Sequence, residues 1–290
     1  MTTTQTLEQP PDATATPSIT GTPTATGTPT AAQLLAELRT TTASVQRKDW
    51  MSADITGSGA SLDLLGGGTD PLSSLSGAGL GWFTPFVSFL ADPLTQLTGN
   101  PGPVASGAQA LDTAGRDLAG IADTYRRSTA EETTGWSGEA ASGYRSAGAE
   151  HADGIAALGE AGSAVAGAIA GAGEVVAQVV DIVTRLVTEA VGKIVPIMGQ
   201  AVAAAPATFG QSIAAAIPQC VQIAVDYGGQ VLGKLAALLT SGQNLMKLVE
   251  GALAVVRLVQ QVLSTISRKS SVDTPTPADS PTTAEPEERP

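Results

Sequence analysis

The chain has very few of the residues that build catalytic and metal sites. Its 290 residues include one cysteine, Cys220, and one histidine, His151. A zinc site needs several Cys or His ligands, and catalysis by a Ser-His or Cys-His pair needs partners that no motif marks in this chain. A single cysteine also excludes an internal disulfide. We therefore expect no enzyme activity, no metal and no cofactor.

Positive charge is also scarce. The chain carries 15 Lys and Arg against 27 Asp and Glu, so its formal net charge is −12, and no basic stretch offsets it. A nucleic acid would be repelled by such a protein, which excludes it as a partner. The first residues lack the basic and apolar runs of a secretory signal peptide. The sequence therefore predicts either a cytoplasmic protein or export by a route that does not read such a signal.

Aromatic residues make up only 3% of the chain, whereas 42% of its residues are hydrophobic. The core is therefore expected to consist of Ala, Val, Leu and Ile. Four of the few aromatics lie within eight residues: Trp82, Phe83, Phe86 and Phe89. We interpret this cluster as a packing anchor, and the alternative is a partner-binding surface.

Composition divides the chain into five segments. Residues 1–30 form a Thr/Pro-rich arm, and residues 269–290 form an acidic, Pro-rich tail. Both have too few apolar residues to offset the entropy of folding and are predicted to be disordered. Residues 31–99 are predicted to hold a short helix near 31–48, opened by a capping box at Thr30 and Gln33, and then a Gly/Ser-rich linker with the aromatic cluster. The other two segments, 100–195 and 196–268, are predicted to be helical.

A seven-residue apolar repeat runs through residues 100–195 and breaks at 136–138. The repeat predicts an antiparallel hairpin of two helices packed along a narrow seam, the first ending near Glu132 and the second beginning near Glu139. Trp136 at the corner is expected to bury its ring at the open end of the hairpin. His151 is interpreted as a polar seam residue that sets the register. The predicted seam residues are Val104, Leu111, Leu118, Tyr125, Tyr144, His151, Leu158 and Val165.

The corner itself has the sequence Trp136-Ser137-Gly138, and Glu139-Ala140-Ala141-Ser142-Gly143-Tyr144-Arg145 opens the second helix. With this motif between two heptad runs, the region resembles the WXG family of type VII (ESX) secretion proteins, which are small helical hairpins of actinobacteria and firmicutes. The resemblance covers about a third of the chain. It implies that Trp136 and Gly138 form a turn-and-secretion motif, that a secretion ATPase is a partner, and that the protein is secreted or lies at the cell surface.

In that family, Trp-x-Gly is thought to be read together with a Tyr-x-x-x-Asp/Glu signal. The three tyrosines of this chain are followed four residues later by Thr129, Gly148 and Val231, so the signal is absent. The resemblance therefore implies a helical partner protein that carries the missing signal.

Residues 194–225 carry no charge and are long enough to span a bilayer. Pro196, Pro206 and Pro218 divide this stretch, so we favour short buried helices, with one helix ending near Val195 and another starting at Pro218. Gly167 and Gly171 form a small-residue face, which is typical of close helix contact or of helix pairing in a membrane. Two apolar stripes follow: Val221, Val225, Leu232, Leu235 and Leu239, and then Leu245, Leu248, Ala252, Val255, Val259, Val262 and Ile266.

Together these features predict an all-α protein with an antiparallel WXG-like hairpin, further apolar helices and disordered termini. The predicted function is that of a type VII-secreted, non-catalytic protein that acts by pairing with a second helical chain or with itself. One alternative is a membrane-active or membrane-inserted protein that uses residues 161–225. A second alternative is a cytoplasmic helical scaffold.

Overall fold

The computed structural model describes residues 29–55, 65 and 70–272, and this part of the chain is all-α, as predicted, with no β-strand. The predicted disordered arms lie outside the described residues except for Pro29, Thr30 and the last four residues of the final helix. In chain order the elements are α1 Ala31–Gln46, α2 Ser73–Gly77, the 3-10 helices Gly81–Phe86 and Ser88–Leu90, α3 Asp92–Leu97, α4 Pro101–Glu132, α5 Glu139–Thr208 and α6 Gln211–Val272.

The two longest helices form a rod. The 70 residues of α5 extend for about 105 Å at 1.5 Å per residue, and α6 returns antiparallel to it after a turn at Phe209 and Gly210. Helices α1 and α4 pack against the half of α5 that is remote from this turn. Residues 70–97 pack further along the rod, and exposed positions predominate on the last turns before and after Phe209.

Helix α1 begins where the capping box predicts. The Gln33 backbone N–H donates to Thr30 Oγ1 at 3.3 Å, and the Thr30 N–H donates to Gln33 Oε1 at 3.0 Å. These two bonds satisfy backbone donors that the helix itself leaves free. The buried face of α1 then packs against α5 and α6 in one cluster: Leu34, Leu35, Leu38, Ala157, Ala161, Ala252, Val255 and Val259.

The linker predicted from Met51 to Gly81 is wrong at residues 70–80, and residues 70–97 as a whole contribute to the core. These residues pack against α5 and α6 through buried side chains: Leu72, Leu75, Leu80, Phe83, Val87, Leu90 and Leu94. The aromatic cluster is divided between the core and the surface. Phe83 is fully buried as a packing anchor, whereas Trp82, Phe86 and Phe89 remain more than 40% exposed.

The prolines do not divide the rod as predicted. Helix α5 continues through Pro196 and Pro206, and α6 continues through Pro218. A proline inside a helix costs about 3 kcal/mol, but the fully buried Ile194 and Met198 hold the chain helical on either side of Pro196. The predicted boundary at 195/196 therefore lies inside α5. The chain instead reverses at Phe209 and Gly210, which both take positive φ values.

The seam of the α4–α5 hairpin has the predicted period of seven but a different register. The buried residues of α4 lie four positions beyond the predicted ones: Ala108, Gly115, Ala122 and Thr129. None of the eight predicted seam residues is buried. Val104, Leu111, Tyr125 and Tyr144 are exposed, and Leu118, His151, Leu158 and Val165 are half-buried.

Small residues occupy this seam because the two backbones lie in direct contact. A Cβ atom added to Gly115 would lie 2.6 Å from the carbonyl oxygen of Gly159, and one added to Gly159 would lie 2.6 Å from that of Gly115. At this separation no large side chain fits between the helices. The leucines and tyrosines that prediction placed in the seam therefore lie beside it.

Close packing also explains the small-residue face that Gly167 and Gly171 form on α5. A Cβ on Gly171 would lie 3.2 Å from Cζ2 of Trp50, and one on Gly167 would lie 3.5 Å from Cγ1 of Val45. Close packing within the chain thus accounts for the face. The predicted stripe at the end of α6 is also confirmed, because Leu245, Ala252, Val255 and Val259 are buried and Leu248, Val262 and Ile266 are half-buried.

Candidate functional site

The corner between α4 and α5 is a short loop fixed by its backbone. Helix α4 ends at Glu132 and α5 begins at Glu139, as predicted. The Trp136 N–H donates to the carbonyl oxygen of Thr133 at 2.9 Å. Gly138 precedes α5 with φ of +89°, and a Cβ there would meet no atom within 4 Å. Glycine is therefore required at this position for its backbone conformation and not for lack of space.

Arg145 holds this loop from the second turn of α5. Its Nε–H donates to Thr133 Oγ1 at 2.8 Å, and its terminal nitrogen donates to the carbonyl oxygens of Trp136, at 2.9 Å, and Thr133. A cation thus adds hydrogen bonds to carbonyl oxygens of the loop that follows α4. Sequence reasoning gave Arg145 no role. Its position one to two turns after a helix break was the signal that could have identified it.

Trp136 is exposed, so the prediction that it fills the end of the hairpin is wrong. Its exposed fraction is 55%, and its ring contacts Tyr144 with centroids 5.5 Å apart. The buried side chain of Thr133 occupies the end of the seam instead. Because the two backbones lie so close, the seam leaves no cavity wide enough for an indole. The corner therefore presents an aromatic pair, Trp136 and Tyr144, to solvent.

An open groove of about 1140 Å³ lies beside this aromatic pair. It is lined mainly by the first turns of α5 and the last turns of α6, including the charged residues Glu139, Glu150 and Arg268. Apolar side chains line part of it: Tyr144, Ala140, Ala147, Leu258, Val262 and Ile266. The corner is thus continuous with a groove that both apolar and charged side chains line.

The structure also explains why two of the tyrosines lack an acidic residue four positions later. Thr129 lies four residues after Tyr125, and Gly148 lies four residues after Tyr144. Both positions are buried in the α4–α5 seam. A Cβ on Gly148 would collide with the side chain of Thr129. A carboxylate at either position would be buried without a partner, which is costly.

His151 is half-buried, with Nδ1 3.3 Å from the carbonyl oxygen of Ala147 and its ring 6.3 Å from that of Tyr125. Within the described ranges, no three His, Cys, Asp or Glu side chains gather where a metal ion could bind.

A second exposed feature lies on α6. Five large apolar residues recur every seven positions along it, with exposed fractions between 45% and 69%: Val225, Leu232, Leu239, Met246 and Leu253. We call this set the α6 stripe. Three of its members belong to a predicted apolar face, but the residues of α6 that pack on α5 are mostly others, including Ala216, Cys220, Ala224, Tyr227 and Val231. The strict spacing of seven was visible in the sequence, whereas its exposure was not.

Comparison of the chain with family models, curated proteins and solved structures found no match in any of the three.

The hydrogen bonds of Arg145 allow a direct test of the corner. We expect Arg145→Ala to lower the free energy of unfolding by roughly 1–2 kcal/mol, because it removes charge-assisted hydrogen bonds to the buried Thr133. Arg127→Ala is the matched control, since Arg127 is exposed and makes one hydrogen bond, to Thr124 Oγ1 at 3.5 Å. Urea unfolding measures both variants. Equal stability of the two variants would show that Arg145 does not hold the corner.

Proposed function

We propose that this chain is a non-catalytic helical protein, exported by a type VII route, that acts by pairing along the α6 stripe with a second helical chain. The exposure of the stripe is the observation that supports pairing. The aromatic corner at Trp136, and its resemblance to the WXG motif, support the export route. The protein would then be secreted or lie at the cell surface.

The α6 stripe has the length and period of a coiled-coil surface. From Val225 to Leu253 it extends for about 42 Å at 1.5 Å per residue. Half-buried Leu235, Val249 and Val256 lie three residues after stripe members, as the second apolar position of a heptad does. A row of large apolar side chains exposed to water is unfavourable, and exposed apolar patches of this kind mark protein contacts. A second helix with the same period would cover it.

The corner supplies half of a recognition signal. Arg145 fixes the loop, and Trp136 presents its ring outward beside Tyr144. The other half, Tyr-x-x-x-Asp/Glu, finds no room at Thr129 or Gly148 because both are buried. A helical partner that carries this signal completes the pair, and the secretion ATPase then reads the two halves together.

Pairing is tested by Leu239→Asp. Leu239 is the middle residue of the stripe and is 69% exposed, so the substitution should leave the fold intact. It places a charge at the centre of the proposed contact, where an unpaired charge is costly. We expect sedimentation of the wild-type chain to show a dimer, or else a monomer that binds a hydrophobic dye. Leu239→Asp should abolish the dimer or reduce dye binding several-fold.

Thr240→Asp is the matched control, because it introduces the same charge one residue further along the same helix, at an exposed position outside the stripe. It should pair as the wild type does. A compact wild-type monomer that binds no dye would contradict pairing. So would a dimer that Leu239→Asp leaves intact.

A further inference from the structure

The free end of the α5–α6 hairpin is an uncharged apolar tip. We call residues 201–218 the crown; they contain no charged side chain, and their exposed positions include Val202, Phe209, Ala214 and Ala215. The nearest charged residues are Lys193 on α5 and Asp226 on α6. Each lies roughly 24 Å from the turn at 1.5 Å per residue. The rod therefore ends in a long segment without charge on either helix.

Phe209 occupies the outermost position of the crown in an unfavourable conformation. Its side chain is 97% exposed, and its φ is +52°, in the left-handed region. That region is costly for a residue with a Cβ atom, and Gly or Asn is the usual choice at the end of a helix. With almost no contact inside the chain, the phenyl ring does not stabilise the fold. The ring at the tip is therefore available for a contact outside the chain.

The polar groups of the turn bond to one another. The Ser212 hydroxyl donates to the carbonyl oxygen of Ala201 at 2.7 Å, and the Ser212 N–H donates to Thr208 Oγ1 at 3.2 Å. The Gly210 N–H donates to the carbonyl oxygen of Ala205 at 2.9 Å. These bonds satisfy part of the polar groups of the turn, which favours entry into lipid, where no water replaces a missing hydrogen bond.

Long polar side chains mark a limit to insertion. Gln200 and Gln219 are exposed, and each lies nine residues from the turn, or roughly 13 Å. Between them only Gln211 carries a long polar side chain. Amphipathic elements that lie at a membrane surface enter to about 5–10 Å. The roughly 13 Å between the turn and the glutamines exceeds this depth by a few ångström, which leaves both glutamines at the level of the headgroups.

We propose that the crown inserts into the surface of a lipid bilayer, with Phe209 at the hydrocarbon boundary. The inference goes beyond pairing along the α6 stripe and does not depend on it. It also narrows the membrane segment from residues 161–225 to the crown. By length and composition both α5 and α6 contain windows that could span a membrane, with mean hydropathy 1.5 and 1.3, and 50% of the α5 window and 17% of the α6 window are buried inside the chain.

Lipid fits the crown better than a protein partner does. A stable protein interface buries at least about 1,000 Å² and is surrounded by a polar rim. The crown is the projecting tip of two helices, and the nearest charged residues that could form a rim lie roughly 24 Å from its turn.

Flotation of the full chain with vesicles tests the proposal. We expect the wild type to float with pure phosphatidylcholine vesicles and to bind vesicles containing phosphatidylglycerol no more strongly, since the crown has no charge. Phe209→Asn should reduce partitioning at least about tenfold, because a buried aromatic ring is lost. It should also raise the melting temperature, because Asn accepts positive φ. Ile121→Asn is the matched control, since Ile121 is 54% exposed on α4, outside the crown.

A second variant, Ala214→Asp with Ala215→Asp, places two charges on exposed positions of the crown. Sequence reasoning placed both alanines in a core, where these charges would unfold the segment. In the structure they should leave the melting temperature nearly unchanged and reduce partitioning about a hundredfold or more. Failure of the wild type to float with either vesicle overturns the proposal. Equal flotation of wild type and both variants, or an oligomer that Phe209→Asn dissociates without lipid, does so as well.

Discussion

We expect Trp136→Ala to reduce export at least about tenfold while the chain remains folded, which corresponds to a loss of about 1.4 kcal/mol of recognition. The indole is 55% exposed and packs mainly on Tyr144, so its removal leaves no cavity in the core. A fully packed Trp would cost about 3–5 kcal/mol on truncation, and we expect much less here, roughly 1 kcal/mol. The measurement compares the chain in culture filtrate and in cell lysate, with thermal melting of each purified variant.

Trp82→Ala is the matched control for this prediction. Trp82 is 46% exposed and contacts Phe83 at 5.9 Å, so the two variants lose similar packing, but Trp82 lies far from the corner. Export of Trp82→Ala should equal that of the wild type. Equal export of both variants would remove the recognition role of Trp136. Absence of the wild type from the culture filtrate would instead favour the cytoplasmic scaffold.

The period of the hairpin could be predicted from the sequence, but its register could not. A spacing of seven between Val104, Leu111 and Leu118 also holds for Ala108, Gly115 and Ala122, four residues further on. Hydropathy alone assigns the seam to the larger residues. The small residues occupy it because they allow the backbones to approach, and that gain depends on the partner helix. For the same reason Trp136 does not fill the end of the hairpin, because helices this close leave no cavity for its ring.

Tertiary packing also overrode the local signals of the prolines. Pro196 and Pro218 are strong helix-boundary signals in isolation, yet α5 and α6 extend beyond them because buried neighbours such as Met198 and Cys220 hold both helices together. The free turn is formed by Phe209 and Gly210, and no residue pattern singled it out. The sequence therefore predicted the uncharged segment, but not that its middle part, the crown, forms the free end of the rod.

The close approach at the hairpin seam leads to the largest expected change in stability. We expect Gly159→Ala to lower the free energy of unfolding by roughly 2–3 kcal/mol, because overpacking forces the backbones apart. The new Cβ would lie 2.6 Å from the carbonyl oxygen of Gly115 and 3.2 Å from Cβ of Leu118. Neither atom is the far end of a flexible side chain, so the strain cannot be relieved by a change of rotamer.

Gly120→Ala on α4, the facing helix, should change the free energy of unfolding in the opposite direction. A Cβ at Gly120 meets no atom within 4 Å, and the residue lies inside α4, where alanine is a better helix former than glycine. We expect this variant to raise the free energy of unfolding by about 1 kcal/mol. Urea denaturation of the two variants and the wild type measures both changes. If Gly159→Ala is as stable as Gly120→Ala, the helices do not meet at Gly115 and Gly159. The seam would then be formed by the larger residues Leu111 and Leu118, as the sequence predicts.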